Sequence, residues 1–263
     1  MKGVGVAAAA AAGLDALVLE PRWLEVTTHD VPVSKLPREL DGFTLAQVTD
    51  AHLKQIGAVE KAIPRALDEH AVQLLVLTGD ILDQALYLPV LKEFCAGLRR
   101  PGMTAVATLG NWEHWGAMVS PELTKAYAQS GTRLLVNEGL TLSDGVRLFA
   151  TDDSRAGNVR LEDPSEERAF ARLLLTHSPE FLDRVPREAG PFSLALAGHT
   201  HGGQVRAGAG LVPFLPDGSG RFVAGWYDLP AGPAYVSRGT GTSILPIRFT
   251  CRPELAIFRL RQA

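Results

Sequence analysis

The 263-residue chain carries 26 lysines and arginines against 29 aspartates and glutamates, which gives a net charge of −3 near pH 7. Apolar residues make up 46% and charged residues 21%, a balance that is typical of a globular protein and excludes a disordered or fibrous chain. The lack of a basic excess disfavours nucleic acid as a partner. With only Cys95 and Cys251, a disulfide framework or a cysteine-rich zinc site is excluded.

The N-terminus allows more than one interpretation. Lys2 precedes an apolar, alanine-rich stretch from Gly3 to Leu14, which Asp15 interrupts. This stretch is long enough for a weak signal sequence and too short for a full membrane span. Residues 1–20 are therefore interpreted as a signal, an interfacial anchor or a plain helix, and residues 21–263 as one domain. Localisation stays open between the membrane and the cytoplasm, and peripheral membrane association is one candidate.

Short apolar runs recur along the chain and predict strands. The first lies within a connecting arm, Glu20 to Leu40, which three prolines interrupt, and the others follow that arm. In chain order the predicted strands are Trp23 to Thr28, Phe43 to Thr49, Val72 to Thr78, Thr104 to Leu109, Arg133 to Val136, Leu140 to Leu142, Val146 to Ala150, Leu173 to Thr176, Leu194 to Ala197 and Leu255 to Leu260. The run from Val72 to Thr78 is apolar apart from Gln73 and Thr78, as expected for a strand that is buried on both faces.

Helical patterns separate several of these strands. The predicted helices are Ala58 to His70, Leu86 to Arg99, Pro121 to Gln129 and Pro164 to Leu173. Pro64 is expected to kink or restart the first of them. Alternating strands and helices favour an α/β domain, in which ligands bind at the carboxyl ends of the strands.

Polar residues stand at five of the predicted strand ends. They are Asp50, His52, Asp80, Asn111, His177, His199 and His201. In an extended segment residues i and i+2 share a face, so His199 and His201 are expected to point to one side. Imidazole and carboxylate ligands suit Mn, Fe or Zn better than Mg alone. Seven candidates are too many for one four-coordinate ion and fit two ions if one carboxylate bridges, an arrangement that serves phosphoryl transfer.

The sequence resembles the calcineurin-like metallophosphoesterase superfamily. The matching motifs follow the family's order: Asp50-x-His52, Gly79-Asp80-x-x-Asp83, Gly110-Asn111, His177 and Gly198-His199-x-His201. The segments 40–43 and 235–249 also look like a bacterial branch that includes membrane-associated phosphodiesterases. The resemblance implies an α/β sandwich in which two mixed β-sheets pack face to face and helices flank them.

The same resemblance implies how the ligands are shared between two divalent or trivalent transition metal ions. One ion would be held by Asp50, His52, Asp80 and His201, and the other by Asp80, Asn111, His177 and His199. Asp80 would bridge the pair, and a bridging hydroxide would attack phosphorus without a covalent intermediate. Asp83 would orient a ligand or a backbone amide.

The residue after Asn111 departs from the family pattern. The family has a histidine there that protonates the leaving group or holds the phosphate, whereas this chain has Trp112, which is no acid near pH 7. His114 or Glu113 could take that role, or the leaving group could depart unaided. Of these, His114 is the expected proton donor, a role that is typically worth about 10²–10⁴-fold in rate.

Two further pairs of titratable residues have more than one interpretation. Asp152 and Asp153 either line the site or cap a turn, and the turn is expected. His29 and His70 show no partner pattern, so they are interpreted as structural or exposed.

An apolar segment and two arginines also bear on the substrate. Phe214, Leu215 and Pro216, together with 226–227, either form an apolar lip that admits a lipid or aryl group or pack in the core. Arg238 and Arg248 either contact phosphate or form surface ion pairs.

Taken together, these patterns predict a metal-dependent phosphoesterase that hydrolyses a phosphodiester or a related phosphoester. Candidate substrates are small-molecule or lipid-linked esters, and no nucleic acid or protein partner is implied. Two other classes stay open: a non-catalytic metal-binding scaffold with the same fold, and a mononuclear metallohydrolase that acts on amides or esters.

Overall fold

Two mixed sheets of six strands each pack face to face in the computed structural model, which describes residues 12–161, 169–207 and 210–263. In spatial order the first sheet contains β1 (Glu25–Val33), β12 (Glu254–Gln262), β2 (Thr44–Val48), β3 (Leu74–Thr78), β4 (Thr104–Thr108) and β5 (Arg133–Leu134). The second contains β10 (Gly225–Leu229), β11 (Gly232–Val236), β9 (Leu194–Ala197), β8 (Ala171–Leu175), β7 (Val146–Ala150) and β6 (Glu138–Thr141). The pairs β12–β2, β10–β11 and β6–β7 are antiparallel, and the other neighbours are parallel.

Helices cover the outer face of the first sheet. The described helices are α1 (Ala58–Glu69), α2 (Leu88–Leu98), α3 (Asn111–Trp115) and α4 (Pro121–Gln129). Leu91 of α2 and Leu123 of α4 share one buried cluster with residues of the sheet. The outer face of the second sheet packs against the 3₁₀ turn Pro179–Arg184. The predicted sandwich of two mixed sheets flanked by helices is therefore confirmed.

The central strand β3 is buried on both faces, which explains why Leu74 to Leu77 are all apolar. Leu75 and Leu77 pack toward the helices, whereas Leu74 and Val76 face the second sheet. Because side chains alternate along a strand, burial on both faces requires apolar residues at consecutive positions. Full burial of each such side chain stabilises the fold by about 1.5–3 kcal/mol.

Several predicted elements differ from the observed ones. The segment Ala171–Leu175 is β8, so the last part of the helix predicted to end at Leu173 is wrong; its residues 164–168 lie outside the described ones. Alanine and leucine are good helix formers, but intrinsic propensity is a small contribution, and the parallel pairing of β8 with β7 overrides it. The first strand is longer than predicted and contains Pro32, which an edge strand tolerates. The first helix runs through Pro64 without interruption.

The N-terminal segment packs against residues 248–251. A short helical stretch, Asp15–Leu19, precedes the 3₁₀ turn Glu20–Arg22. The Glu20 carboxylate accepts hydrogen bonds from the backbone N–H groups of Thr250 (2.7 Å) and Cys251. Within the described ranges, no helix is both long and apolar enough to cross a membrane. Residues 1–11, the larger part of the predicted signal or anchor, lie outside those ranges.

A buried ion pair joins β12 to the loop after β11. The Glu254 carboxylate accepts hydrogen bonds from the Tyr235 hydroxyl (2.7 Å), the Arg238 backbone N–H (2.9 Å) and Arg238 Nη2 (3.1 Å). Burial acts to raise the pKa of Glu254, but the Arg238 charge and these hydrogen bonds outweigh it and hold that pKa below its ordinary value. The folded state thus favours the ionised carboxylate.

We expect Glu254→Gln to lower the free energy of unfolding by about 2 kcal/mol at pH 7, because Arg238 loses a buried partner. A depressed carboxyl pKa contributes stability above the unfolded value of about 4.3, and this contribution is lost as the pH falls through the folded pKa. The difference between wild type and variant should therefore narrow in acid. Urea unfolding of both proteins at neutral and acidic pH measures this difference in the free energy of unfolding. A difference that did not change with pH would contradict the depressed pKa of Glu254.

Candidate metal centre

The seven side chains singled out in the sequence meet at one end of the sandwich. Asp50 and His52 follow β2, Asp80 follows β3, Asn111 begins α3 after β4, and the three histidines follow β8 and β9. Each of the seven is at most 5% exposed. The first sheet therefore supplies both aspartates, one histidine and the asparagine, and the second sheet supplies the other three histidines.

Five of these seven residues have a left-handed backbone conformation. Their φ angles are 53° for Asp50, 45° for His52, 52° for Asp80, 71° for His199 and 50° for His201. Aspartate and histidine tolerate this region better than most residues, yet each such residue costs about 1–2 kcal/mol. Strain of this kind persists where packing enforces it, and it clusters at functional sites.

The first group of possible ligands contains Asp50, His52 and His201. The Nε2 atoms of His52 and His201 lie 3.1 Å apart, and His201 Nε2 lies 3.4 Å from Asp50 Oδ1. The other oxygen of Asp50, Oδ2, accepts hydrogen bonds from Thr49 Oγ1 (2.8 Å) and from the backbone N–H of His199 (2.9 Å). One carboxylate oxygen and two imidazole nitrogens therefore converge on one small volume.

The second group contains Asp80, His177 and His199. His177 Nε2 lies 3.0 Å from Asp80 Oδ2, 3.3 Å from His199 Nδ1 and 3.1 Å from Asn111 Oδ1. Asp80 Oδ2 also lies 4.0 Å from His52 Nε2 of the first group. Asp80 thus stands between the two groups, where a bridging carboxylate would have to be.

The sequence predicts that His199 and His201 lie on one side of an extended segment. The structure shows a different arrangement. Each belongs to a different group, and both have positive φ angles. Gly198 precedes them, and a Cβ at this position would collide with Thr49 Oγ1 and Asp50 Oδ2. The left-handed turns, which local sequence spacing does not reveal, separate the two rings.

Three of the imidazoles are oriented by a hydrogen bond from the ring nitrogen that points away from the ligand groups. His52 Nδ1 donates to Asp83 Oδ1, His177 Nδ1 donates to the Thr78 carbonyl (2.9 Å), and His199 Nε2 donates to the Asp217 carbonyl (2.8 Å). Because these partners can only accept, the second nitrogen of each neutral ring presents a lone pair to the interior. Carboxylate and amide oxygens add further lone pairs there, and a cluster of converging acceptors fits cations. The residues present therefore suit two transition metal ions.

The electrostatics of the cluster agree with this chemistry. Burial acts to raise the pKa of Asp50, but His201, His177 and His52 outweigh it, and the pKa is lowered overall. Burial alone would lower the pKa of His177, yet the adjacent Asp80 carboxylate raises it well above its ordinary value. In the absence of other cations, protons on such rings supply the positive charge that the carboxylates attract.

Glu113 holds the loops that carry Asp80 and Asn111 in place through backbone hydrogen bonds. Its buried carboxylate accepts backbone hydrogen bonds from Asp80 (2.9 Å), Ile81 (2.7 Å), Leu82 (3.2 Å) and Gly110 (2.9 Å). Burial and the nearby Asp80 charge raise the pKa of Glu113 to about 7, against the effect of these N–H groups. Both oxygens face backbone amides, so the geometry gives Glu113 a positioning role. The four-residue spacing Gly110-x-x-Glu113 is the capping pattern that could have revealed it.

His114 does not line the cavity above the metal groups. Its Nε2 atom lies 2.7 Å from Asp152 Oδ1, and this hydrogen bond raises the pKa of His114. Asp153 caps a turn, as expected, by accepting from the backbone N–H groups of Arg155 (2.9 Å) and Ala156 (2.7 Å). Asp152 combines a turn contact with the His114 pair. The role of His114 as proton donor stays a prediction.

Neither Arg238 nor Arg248 lines the cavity, so the expectation that they contact phosphate is not supported. Arg238 pairs with Glu25 (3.0 Å) and with Glu254. Arg248 is fully buried, so the surface ion pair is also wrong for it. Its guanidinium donates to the backbone carbonyls of Arg238, Gly239, Gly241 and Cys251.

The loop that Arg248 holds is braced against the first ligand group. The backbone N–H groups of Thr240 and Gly241 donate to the carbonyls of Thr49 (2.9 Å) and Asp50 (2.8 Å). A Cβ on Gly241 would collide with the Ala51 carbonyl, so the close approach requires glycine there. Arg248 thereby stabilises the position of Asp50 without touching it.

A cavity of about 680 Å³ opens above the metal groups. Its floor contains Asp80, Asn111, His199 and His201, and its walls are largely apolar: Trp112, Trp115, Pro213, Phe214, Ile244 and Leu245. Phe214 and Pro216 thus belong to the apolar lip that was one of the two expectations. Trp226 instead packs against His29 and Tyr235, away from the cavity.

This site and this fold define a metallophosphoesterase. The chain belongs to the calcineurin-like phosphoesterase family, whose sequence profile matches residues 43–203. It is therefore a phosphoric ester hydrolase with two candidate metal sites, and the alternative of a non-catalytic scaffold is set aside.

Among its relatives, the uncharacterized metallophosphoesterase YkuE of Bacillus subtilis (strain 168) is 30% identical, over 92% of this chain and 87% of the relative. Phosphodiesterase YaeI of Escherichia coli (strain K12) is 28% identical, over 92% of this chain and 90% of the relative. A dimetal phosphatase from Danio rerio, a solved structure, is similar with a TM-score of 0.48 and 13% identity, over 76% of this chain and 88% of that one.

Two metal ions per chain are the expected stoichiometry, because two separate groups of three possible ligands lie side by side. His52→Ala and His177→Ala should each reduce the content toward one ion, since each removes a ligand from a different group. Elemental analysis of the purified proteins after loading with Mn, Fe or Zn measures this. A single equivalent in the wild type would instead support a mononuclear metallohydrolase.

Proposed function

We propose that this protein hydrolyses a phosphodiester at a pair of transition metal ions, of which Mn, Fe and Zn are the candidates. One ion would be held by Asp50, His52, Asp80 and His201, and the other by Asp80, Asn111, His177 and His199. The observation that carries the proposal is the convergence of two buried ligand groups on one cavity floor with Asp80 between them. When bound, such a pair supplies an activated water and Lewis-acid stabilisation of the phosphoryl oxygens.

The chain's own residues would hold this arrangement rigid during the reaction. Asp80 Oδ1 accepts the Trp112 backbone N–H (2.8 Å), which leaves Oδ2 directed toward the histidines. Asp83 orients His52, and the Asp217 carbonyl orients His199. Groups that are fixed before the substrate arrives need no reorganisation as charge develops on phosphorus.

The charge of the cavity favours a diester over a monoester. Among the described residues that line it, Arg155 is the one lysine or arginine, and it lies 3.1 Å from the Asp217 carboxylate. A phosphomonoester dianion carries an additional charge that the cavity walls would leave uncompensated. A diester carries one charge and two substituents, and one of these can lie along the apolar wall formed by Trp112, Phe214 and Ile244. Lipid-linked phosphoesters are the finer candidate class, and the relative named a phosphodiesterase supports the diester.

His114 is the proposed proton donor for the leaving group. The Asp152 hydrogen bond raises its pKa and so favours the protonated imidazole near neutral pH. Since the ring lies outside the cavity lining, it would act after leaving Asp152 or through an intervening water. If the leaving group instead departs unaided, loss of His114 should not slow the hydrolysis of diesters with poor leaving groups.

Asp80→Asn should lower kcat on bis(p-nitrophenyl) phosphate by about 10³-fold or more, because it weakens both metal positions at once. Asp83→Asn, which alters only the partner of His52, should cost about 10–100-fold. Wild type should prefer the diester to p-nitrophenyl phosphate. Equal kcat/KM on the two esters would argue against the diester assignment, and an unchanged rate in the Asp80 variant would argue against the metal pair.

His114→Gln tests the proton donor through the leaving group. On diesters with alkyl leaving groups kcat should fall by about 10²-fold or more, whereas on p-nitrophenyl esters it should change little, because that group leaves without a proton. A set of diesters graded by the pKa of the leaving alcohol provides the measurement. An equal loss across the set would show that His114 acts only on structure.

A further inference from the structure

Exposed apolar side chains surround the mouth of the cavity. Ile244 is 82% exposed, Leu211 is 70% exposed and Phe214 is 67% exposed, and Trp115 and Leu245 are also more than half exposed. Four of these five line the cavity itself, and Leu211 lies in the same segment as Phe214. Large apolar groups that are scattered singly on a surface are common, but a contiguous patch marks an interaction site.

The N-terminal helical segment extends this patch. The backbone N–H of Arg248 donates to the Ala16 carbonyl (3.0 Å), which places the segment directly beside Ile247 of the cavity wall. Leu14, Leu17 and Leu19 of the segment are each more than half exposed. The apolar rim is defined here as Leu14, Leu17, Leu19, Trp115, Leu211, Phe214, Ile244 and Leu245. Its residues come from four separate parts of the chain.

The backbone of the rim is strained in a way that exposes it. Ile244 has a φ angle of 60°, a left-handed conformation that is a genuine outlier for a β-branched residue. Gln204 ties the loop down: its side chain accepts from the Ser243 backbone N–H (2.6 Å) and donates to the Leu245 carbonyl (3.3 Å). A rigid loop that holds its most exposed isoleucine outward contributes nothing to the core, so its cost requires another reason.

We propose that the apolar rim inserts into the surface of a lipid bilayer and holds the cavity mouth against it. A protein partner or a second copy seated on the rim would close the cavity mouth, whereas a bilayer can deliver its own lipids through it. In sequence, the stretch from Gly3 to Leu14 leads into the rim, and it is apolar and shorter than a membrane span. Building on the proposed function, the substrate is then a phosphodiester whose apolar portion resides in the membrane.

The charge of the protein sets the type of lipid surface. The net charge is −3, and Arg155, the one lysine or arginine among the described residues that line the cavity, is paired with Asp217, so little attraction to anionic headgroups is expected. Binding is therefore driven by the burial of apolar side chains. It should occur on neutral phosphatidylcholine vesicles and be insensitive to salt.

Flotation of the full chain with phosphatidylcholine vesicles tests the proposal. The double variant Leu17→Ser/Leu211→Ser should bind about tenfold more weakly than wild type, since it removes two rim side chains that do not line the cavity. Phe170→Ser is the matched control, because Phe170 is 52% exposed and precedes β8 at the end of the second sheet opposite the site. It should bind like wild type, at both low and high salt.

A soluble aryl diester separates this inference from the proposed function. The double variant should hydrolyse it at the wild-type rate, which also shows that the variant is folded. Absence of vesicle binding by wild type, or equal binding by the double variant, would overturn the proposal that the apolar rim binds membranes. Rim-dependent dimerisation in sedimentation, without vesicle binding, would overturn it in favour of a second copy. Failure of wild type to hydrolyse any diester would refute the proposed function and leave the vesicle result standing.

Discussion

Lone pairs that converge in a buried pocket are the constraint on which this structure depends. Two carboxylates, four imidazoles and an amide converge there, and each of these residues is at most 5% exposed. Outer acceptors orient three of the imidazoles inward, so neutral rings cannot satisfy one another. Such a cluster is stable only with positive charge inside it. The affinity of the site for cations follows from that requirement.

The fold maintains this unfavourable arrangement through contacts outside the ligand set. Glu113 binds four backbone amides of the loops that carry Asp80 and Asn111, and Arg248 binds the carbonyls of a loop that presses on Asp50. Each is a buried ionisable group whose partners are backbone atoms. The left-handed conformations of two of the ligands are therefore supported from outside, that of Asp80 by the Glu113 carboxylate and that of Asp50 by the loop that the Arg248 guanidinium holds.

The cavity combines two environments that suit different parts of one substrate. Its floor is polar and surrounds the ligand groups, whereas its walls and mouth are apolar and exposed. The tryptophan at position 112, where the family has a histidine, belongs to the apolar wall. This departure from the family pattern thus accompanies a cavity wall that suits apolar substituents. It also leaves His114 as the proposed proton donor.

Much of the protein could be predicted from its sequence. Apolar runs of strand length identified most strands, and the polar strand ends identified all seven residues that the fold brings together, because parallel strands place their carboxyl ends at one edge. The family resemblance, not the local pattern, implied which histidine joins which group. Only the tertiary structure decided that Glu113 also binds the loop of Asp80, that Arg248 is a brace and that β8 begins as early as Ala171. These features depend on left-handed turns and on partners distant in sequence. Local patterns specify periodicity, but they do not specify the direction in which a side chain points after a turn.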